Sequence, residues 1–250
     1  MRLISRLDVK NGNLVKTINL EGLRPLGECK EFAIKYMNDN IDEIFLSDPV
    51  ASLYLRDPLF DLLDKITDEV FIPITISGGI RSIDHIRKLL LIGADKVSIN
   101  TAAILNPSFI NEAASICGSQ SIAISVQVKK INSKWYCYTN CGRDNSNRLL
   151  LDWLPEVEKR GAGEIIITSI NNEGTFKGLD LELINLVCSL TSLPITYSGG
   201  FSKVEDLDDL IYENISLSGL AIAGALHYKR LSVNEIRQHA LKLGLKVRKL

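Results

Sequence analysis

Apolar positions along the 250-residue chain fall into two alternating textures. Short runs dense in Ile, Val and Leu, such as IPITIS (72–77), KVSIN (96–100), EIIITS (164–169) and LPITYS (193–198), have the length and β-branched content of buried strands. Between such runs, DPLFDLLDKITDEV (57–70), SIDHIRKLLLIG (82–93) and VNEIRQHALKLG (233–244) repeat their apolar residues every three to four positions. That is the period of a helix packed on one face. Gly93-Ala94-Asp95 and Gly161-Ala162-Gly163 read as helix stops that lead into the next strand. Strand and helix alternate eight times, which predicts a parallel sheet. Residues 131–148 break the rhythm. KWYCYT alternates like a strand, and the Asn/Gly/Ser-rich tail after it reads as a flexible loop that elaborates the fifth strand near the mouth.

The alternation also repeats itself. IPITISGGI (72–80) returns as LPITYSGGF (193–201), IDEIFLSD (41–48) as AGEIIITS (162–169), and RLDVK (6–10) as VQVKK (126–130). KVSINTAAI (96–104) returns more loosely as LAIAGALHY (220–228). Gly78 and Gly199, like Glu43 and Glu164, are 121 positions apart (199 − 78 and 164 − 43). Four matches in one order divide the chain into similar halves, roughly 1–120 and 121–250. Eight units with twofold internal symmetry predict one α/β domain, a (β/α)8 TIM barrel. An open doubly wound sheet is the alternative, and it has no need of a half-to-half repeat.

Composition narrows the function classes. Aromatic residues are only 6% and hydrophobic ones 46%, which leans toward α/β rather than a β-sandwich. Lys+Arg (29) and Asp+Glu (30) nearly cancel, so no basic face advertises nucleic acid. The absence of an 18-residue apolar run excludes a membrane-spanning helix, and the charges in MRLISRLDVK argue against a secretory signal. The five scattered cysteines (Cys29, Cys117, Cys137, Cys141, Cys188) read as free thiols in a reducing cytoplasm. Cys137 and Cys141 are four apart but lack a second pair or a nearby His, so no metal is expected there.

Barrel chemistry sits at the carboxyl ends of the strands. Those ends carry Asp8 and Lys10, Asp48, Ser77-Gly78-Gly79, Asn100-Thr101, Gln127 and Lys129, Ser169 with Asn171 and Glu173-Gly174-Thr175, Ser198-Gly199-Gly200, and Ala223-Gly224. Asp8 lies among apolar residues, where a carboxyl can serve as general acid or base. Its ordinary role is a polar plug, or a partner of Lys10 or Lys16. The two glycine pairs have repeat-related places. Glycine lets backbone N–H groups approach an anion, and a helix N-terminus adds positive potential. Gly79 with Asn100-Thr101 makes one candidate phosphate nest, and Gly200 with Ala223-Gly224 the other. Two nests suit a substrate with a phosphate at each end, whereas a tight strand–helix turn is the plainer reading of each SGG. His227 reads as a packed or capping residue, His85 and His239 as surface, and Trp153 as core.

The stretches RLDVKNGNLVK (6–16), GADKVSINTAA (93–103), NPSFI (106–110) with GSQ (118–120), EKRGAGEIIITSI (158–170) with EGT (173–175), and SGG (198–200) resemble the cyclase subunit of imidazole glycerol phosphate synthase, the HisF family, almost end to end. The resemblance implies a glutaminase (HisH-type) partner docked on the barrel bottom and no metal or cofactor. Ammonia passes through the barrel core and attacks a bisphosphorylated ribulosyl-formimino aminoimidazole carboxamide ribotide. The implied products are imidazole glycerol phosphate and aminoimidazole carboxamide ribotide, in histidine biosynthesis. The family's first catalytic aspartate falls on Asp8, and its mobile loop on residues 16–28 with Lys16 at the base. Its ammonia gate falls on Arg2, Glu43, Lys96 and Glu164, each of which stands just before an apolar run. Its phosphate groups fall on Gly79, Asn100 and Thr101 at one end, and on Gly174, Gly200, Ala223 and Gly224 at the other.

The departures cluster at the mouth. Gln127 holds the place of the second catalytic aspartate, and an amide cannot shuttle a proton at neutral pH. Val50 replaces a hydroxyl residue, Asn171-Asn172-Glu173 an acidic–basic–acidic run, and Cys141 and Gly224 serines. Two further readings therefore stand beside the cyclase: a paralogue that channels ammonia for acetamidino modification of surface sugars, and a non-catalytic barrel that activates the glutaminase.

Overall fold

The computed structural model describes residues 1–250. The first half runs β1 (Arg2–Lys10), a hairpin of β2 (Asn13–Ile18) and β3 (Glu21–Glu28), α1 (Cys29–Asn38), β4 (Glu43–Ser47), α2 (Phe60–Thr67), β5 (Ile74–Ser77), α3 (Ile83–Ile92), β6 (Lys96–Ile99), α4 (Thr101–Leu105) and α5 (Ser108–Cys117). The second half runs β7 (Ile122–Ile131), a hairpin of β8 (Lys134–Thr139) and β9 (Asp144–Leu149), α6 (Leu150–Lys159), β10 (Glu164–Ser169), α7 (Leu181–Leu190), β11 (Ile195–Ser198), α8 (Asp208–Tyr212), β12 (Gly219–Ile222), α9 (Gly224–His227) and α10 (Val233–Lys242). Strands β1, β4, β5, β6, β7, β10, β11 and β12 pair in parallel in that order, and β12 pairs back to β1. The sheet is a closed eight-stranded (β/α)8 barrel.

Local chemistry sets the helix ends. Ser82 caps α3 by accepting from the His85 backbone N–H, and Gly93 ends it at a φ of 125°. A Ser232–Glu235 capping box starts α10. Most of the core, 57 buried residues, lies between the sheet and its helices. A separate cluster of Ile4, Phe45, Ala123, Ile166 and Ala221 fills the middle of the lumen. Side chains alternate along a strand, so on β1 Arg2, Ile4, Arg6 and Asp8 share the inward face. The interior is thus layered, with charges at the bottom, an apolar floor and a polar layer at the mouth. No helix is long and apolar enough to cross a membrane.

Two segments differ from the sequence expectation. Residues 16–28, expected as the mobile loop, lie in an antiparallel hairpin of β2 and β3. Its turn places Asn19 and Leu20 at φ of 52° and 64°, the conformation that keeps the twist of flanking strands. Leu20 is buried against Tyr138 and Ile170. Residues 144–149, expected as flexible tail, form β9 against β8. Hydropathy cannot reveal this strand, because DNSNRL is polar and its order comes from backbone pairing.

Candidate active site

At the barrel bottom, Arg2, Glu43, Lys96 and Glu164 close a cycle of ion pairs. Arg2 Nη1 is 2.5 Å from Glu43 and Nη2 is 2.5 Å from Glu164. Lys96 Nζ is 3.2 Å from Glu43 and 2.7 Å from Glu164. Thr75 and Thr196 hydroxyls each donate to one carboxylate at 2.6 Å. Burial alone would raise the Glu164 pKa, but Lys96 and Arg2 outweigh it and hold the group below the usual carboxylate range.

At the other end, the strand tips line two clefts. The first, about 420 Å³, is lined by Asp48, Gly78, Gly79, Asn100, Thr101, Gln127 and Cys141 among others. The second, about 290 Å³, is lined by Lys16, Glu173, Gly174, Gly199, Gly200, Ala223 and Gly224 among others. One cleft draws on β4 to β7 and the other on β10 to β12, so they occupy opposite arcs of the mouth. Their backbones match. Asn100 and Ala223 precede α4 and α9 at φ, ψ of −120°, −83° and −121°, −88°. Gly79 and Gly200 take φ of 72° and 81°. Crowding forbids a side chain at either: a Cβ on Gly79 would lie 2.6 Å from the Arg56 carbonyl, and one on Gly200 2.1 Å from that of Gly178. The tight turn at each place therefore requires glycine.

Gly174 carries a second constraint, since a Cβ there would lie 2.2 Å from the Thr17 carbonyl of the hairpin. Gly224 is explained by Phe176, whose ring would meet a Cβ at 2.8 Å. The Asn100 amide donates to the Ser125 and Tyr138 carbonyls, and the Thr101 hydroxyl accepts from the Asn140 N–H, so these side chains brace the first cleft. Asp48 is held by two bonds from Arg56, at 3.0 and 2.9 Å.

Asp8 is buried, and its partner is neither Lys10 nor Lys16. Arg6 Nε donates to Asp8 Oδ1 at 3.1 Å. Arg6 Nη1 donates to Thr168 and Ser198 hydroxyls at 3.2 and 3.0 Å. Lys10 belongs to the last β1–β2 pair, opposite Asn13, where the strand has left the barrel for the hairpin. Lys16 is buried and paired with Glu173. Burial opposes ionisation of Glu173, yet Lys16 and Arg6 hold its pKa below the ordinary value. Burial also opposes the Arg6 charge, and Asp8 and Glu173 raise its pKa nonetheless. Arg6 was legible in principle, because period two puts it on the inward face beside Asp8.

Gln127 reaches the first cleft with a buried Oε1 that has no partner. Cys141 lies in the same cleft, and burial pushes its thiol up to about 12, so it is neutral at pH 7. Cys137 is packed in the sheet–helix core. Trp153 is core as well, whereas His85 and His239 are only partly exposed.

His227 is packed rather than exposed to the cleft. Its Nε2 is 2.9 Å from the Arg6 carbonyl, which can only accept, so Nε2 carries the proton. Nδ1 then accepts from the Tyr36 hydroxyl at 2.8 Å. Burial pushes its pKa from 6.5 down to about 3. The folded state therefore refuses a proton that the unfolded chain takes. The stability this gives is full above pH 6.5 and is lost as pH falls towards 3. The urea midpoint of the wild type is expected to drop between pH 6.5 and 5, above the carboxylate range, and His227→Gln to flatten that limb. Equal drops in both proteins would remove the role.

Comparison with known proteins gives the family. The family model described as "Histidine biosynthesis protein" matches residues 2–232. The imidazole glycerol phosphate synthase subunit HisF of Legionella pneumophila is 46% identical over 209 residues, covering 83% of this chain and 99% of the relative. The chain belongs to the HisF family. The HisF of Thermotoga sp. (strain RQ2) is 40% identical over 247 residues, covering 99% of this chain and 97% of its own. That of Natranaerobius thermophilus is 37% identical over 247 residues, covering 99% and 98%.

Proposed function

We propose that this HisF-family chain is the cyclase subunit of an imidazole glycerol phosphate synthase. It uses ammonia to convert the bisphosphorylated ribulosyl-formimino substrate to imidazole glycerol phosphate and aminoimidazole carboxamide ribotide. The observation that carries the reading is the pair of glycine-lined clefts with matching backbone on opposite arcs of one mouth. One phosphate takes the Gly79, Asn100 and Thr101 end. The other takes the Gly174, Gly200, Ala223 and Gly224 end, where the Lys16 ammonium lines the cleft. Asp8 is the acid–base group, and Gln127 orients the substrate through its unpartnered amide oxygen or its N–H groups.

The bottom ring is the ammonia inlet, and the glutaminase subunit docks around it. Phe71 and Leu91 support the docking face, being 80% and 87% exposed just before β5 and at the end of α3, the bottom side of the barrel. Neutral ammonia then passes the apolar floor of Ile4, Phe45, Ala123, Ile166 and Ala221.

Calorimetric titration with the bisphosphorylated substrate tests the two-cleft reading. One molecule per chain is expected. Gly200→Ala is expected to weaken binding about tenfold or more, the worth of one or two charge-assisted hydrogen bonds. Unchanged affinity in that variant would remove the second cleft from the site.

A further inference from the structure

We propose that Arg6 is a positioning residue that stoppers the lumen beneath the mouth and is released when a phosphate takes Lys16. The proposal rests on the reading of the mouth as a bisphosphate site fed with ammonia from below. It adds a device that couples acceptor binding to ammonia passage.

Geometry places the stopper. The Arg6 side chain is 3% exposed, and its Cζ lies 5.8 Å from the centroid of the Phe45 ring, which belongs to the apolar floor. From β1 the guanidinium reaches hydroxyls on β10 (Thr168) and β11 (Ser198) while it holds Asp8 on its own strand. It therefore lies across the lumen between the apolar floor and the mouth. In this arrangement Asp8 is occupied by the protein rather than by a substrate.

The release follows from the neighbouring charges. Glu173 is buried with two cations near it, Lys16 in direct contact and Arg6 at 3.9 Å from Oε2. That second separation is beyond a hydrogen bond but within a small side-chain shift. Lys16 also lines the second cleft, where a phosphate would compete for its ammonium. A buried carboxylate that loses its partner is costly, so Glu173 must recruit the remaining cation. When Arg6 turns to Glu173 it leaves Asp8 free for the substrate and uncovers the lumen. Arg6 thus passes from one buried carboxylate to the other, and Asp8, left without its cation, is the group that the bound substrate then engages. Ammonia then reaches the mouth only when an acceptor is present.

The test uses the full chain with 15N-labelled arginine and inorganic phosphate as the probe. Arg6→Lys identifies the Arg6 Nε–H resonance by its loss, and the Gly200 amide reports occupancy of the second cleft. As phosphate saturates Gly200, the Arg6 resonance is expected to shift in step. Its exchange with water is expected to speed up by about tenfold, the factor set by loss of one buried hydrogen bond. In Glu173→Gln, phosphate should still move Gly200 but leave Arg6 in place. An Arg6 signal that stays fixed in the wild type while Gly200 saturates overturns the proposal, as does an equal response in Glu173→Gln. A silent Gly200 amide instead sinks the bisphosphate reading beneath it. Should Arg6→Lys not fold, a phosphate-soaked wild-type crystal decides. With phosphate at Gly200, a guanidinium bonded to Glu173 and withdrawn from Asp8 supports the exchange, and Nε still on Asp8 overturns it.

Discussion

Asp8→Asn lowers ammonium-driven turnover by roughly 10²- to 10⁴-fold, the range for loss of a general acid–base group. The expectation comes from how few proton-transfer groups the mouth retains. Asp8 is buried on the inward face of β1, where it pairs with Arg6. Glu173 is pinned as an anion by Lys16 and Arg6, so it does not exchange protons near neutrality. Cys141 stays a thiol. Where β7 reaches the mouth stands Gln127, whose buried Oε1 can accept a hydrogen bond but carries no proton. On the proposed reading one carboxylate does the acid–base work, and its amide isostere keeps the shape while removing the function. Gln127→Asp, the converse change, is expected to raise turnover by about tenfold by supplying a second proton carrier. Steady-state rates with saturating ammonium salt give both numbers. Wild-type rates in Asp8→Asn would reduce Asp8 to a counter-ion for Arg6.

Lys96→Ala carries the second large effect, and it acts at the opposite end. The four-charge cycle is balanced, two cations against two carboxylates. Without Lys96, the buried Glu43 and Glu164 share Arg2 alone. Arg2 is about a third exposed, so solvent softens the loss. About 2–3 kcal/mol of stability should go, less than a fully buried pair would lose. The functional effect is separable from this. With the glutaminase partner bound, the ratio of glutamine-driven to ammonium-driven turnover should fall about tenfold if the ring is the proposed inlet, since three of its four charges no longer form a closed cycle. A lower urea midpoint with an unchanged ratio would leave the ring a structural device only.

Much of this is legible in the amino-acid sequence because two periodicities act together. Period two along β1 and the 121-residue spacing place Glu43 and Glu164, and Gly79 and Gly200, at equivalent depths of one barrel. The matching angles at Asn100 and Ala223 show how far the resemblance reaches, into residues with different side chains. What escaped the sequence reading is tertiary. Proximity in sequence offers Lys10 or Lys16 as a partner for Asp8, whereas the fold gives it Arg6. Lys16 is drawn to Glu173, 157 residues away, because the hairpin folds over the second cleft. Strand β9 is too polar to show a pattern, and Gly224 makes sense only once Phe176 is seen beside it.

The most direct measurement supplies the purified chain with ammonium salt and the bisphosphorylated ribulosyl-formimino substrate, without any glutaminase. Formation of imidazole glycerol phosphate and aminoimidazole carboxamide ribotide in equal amounts is the expected result. Substrate that binds one per chain but yields neither product would contradict the cyclase assignment.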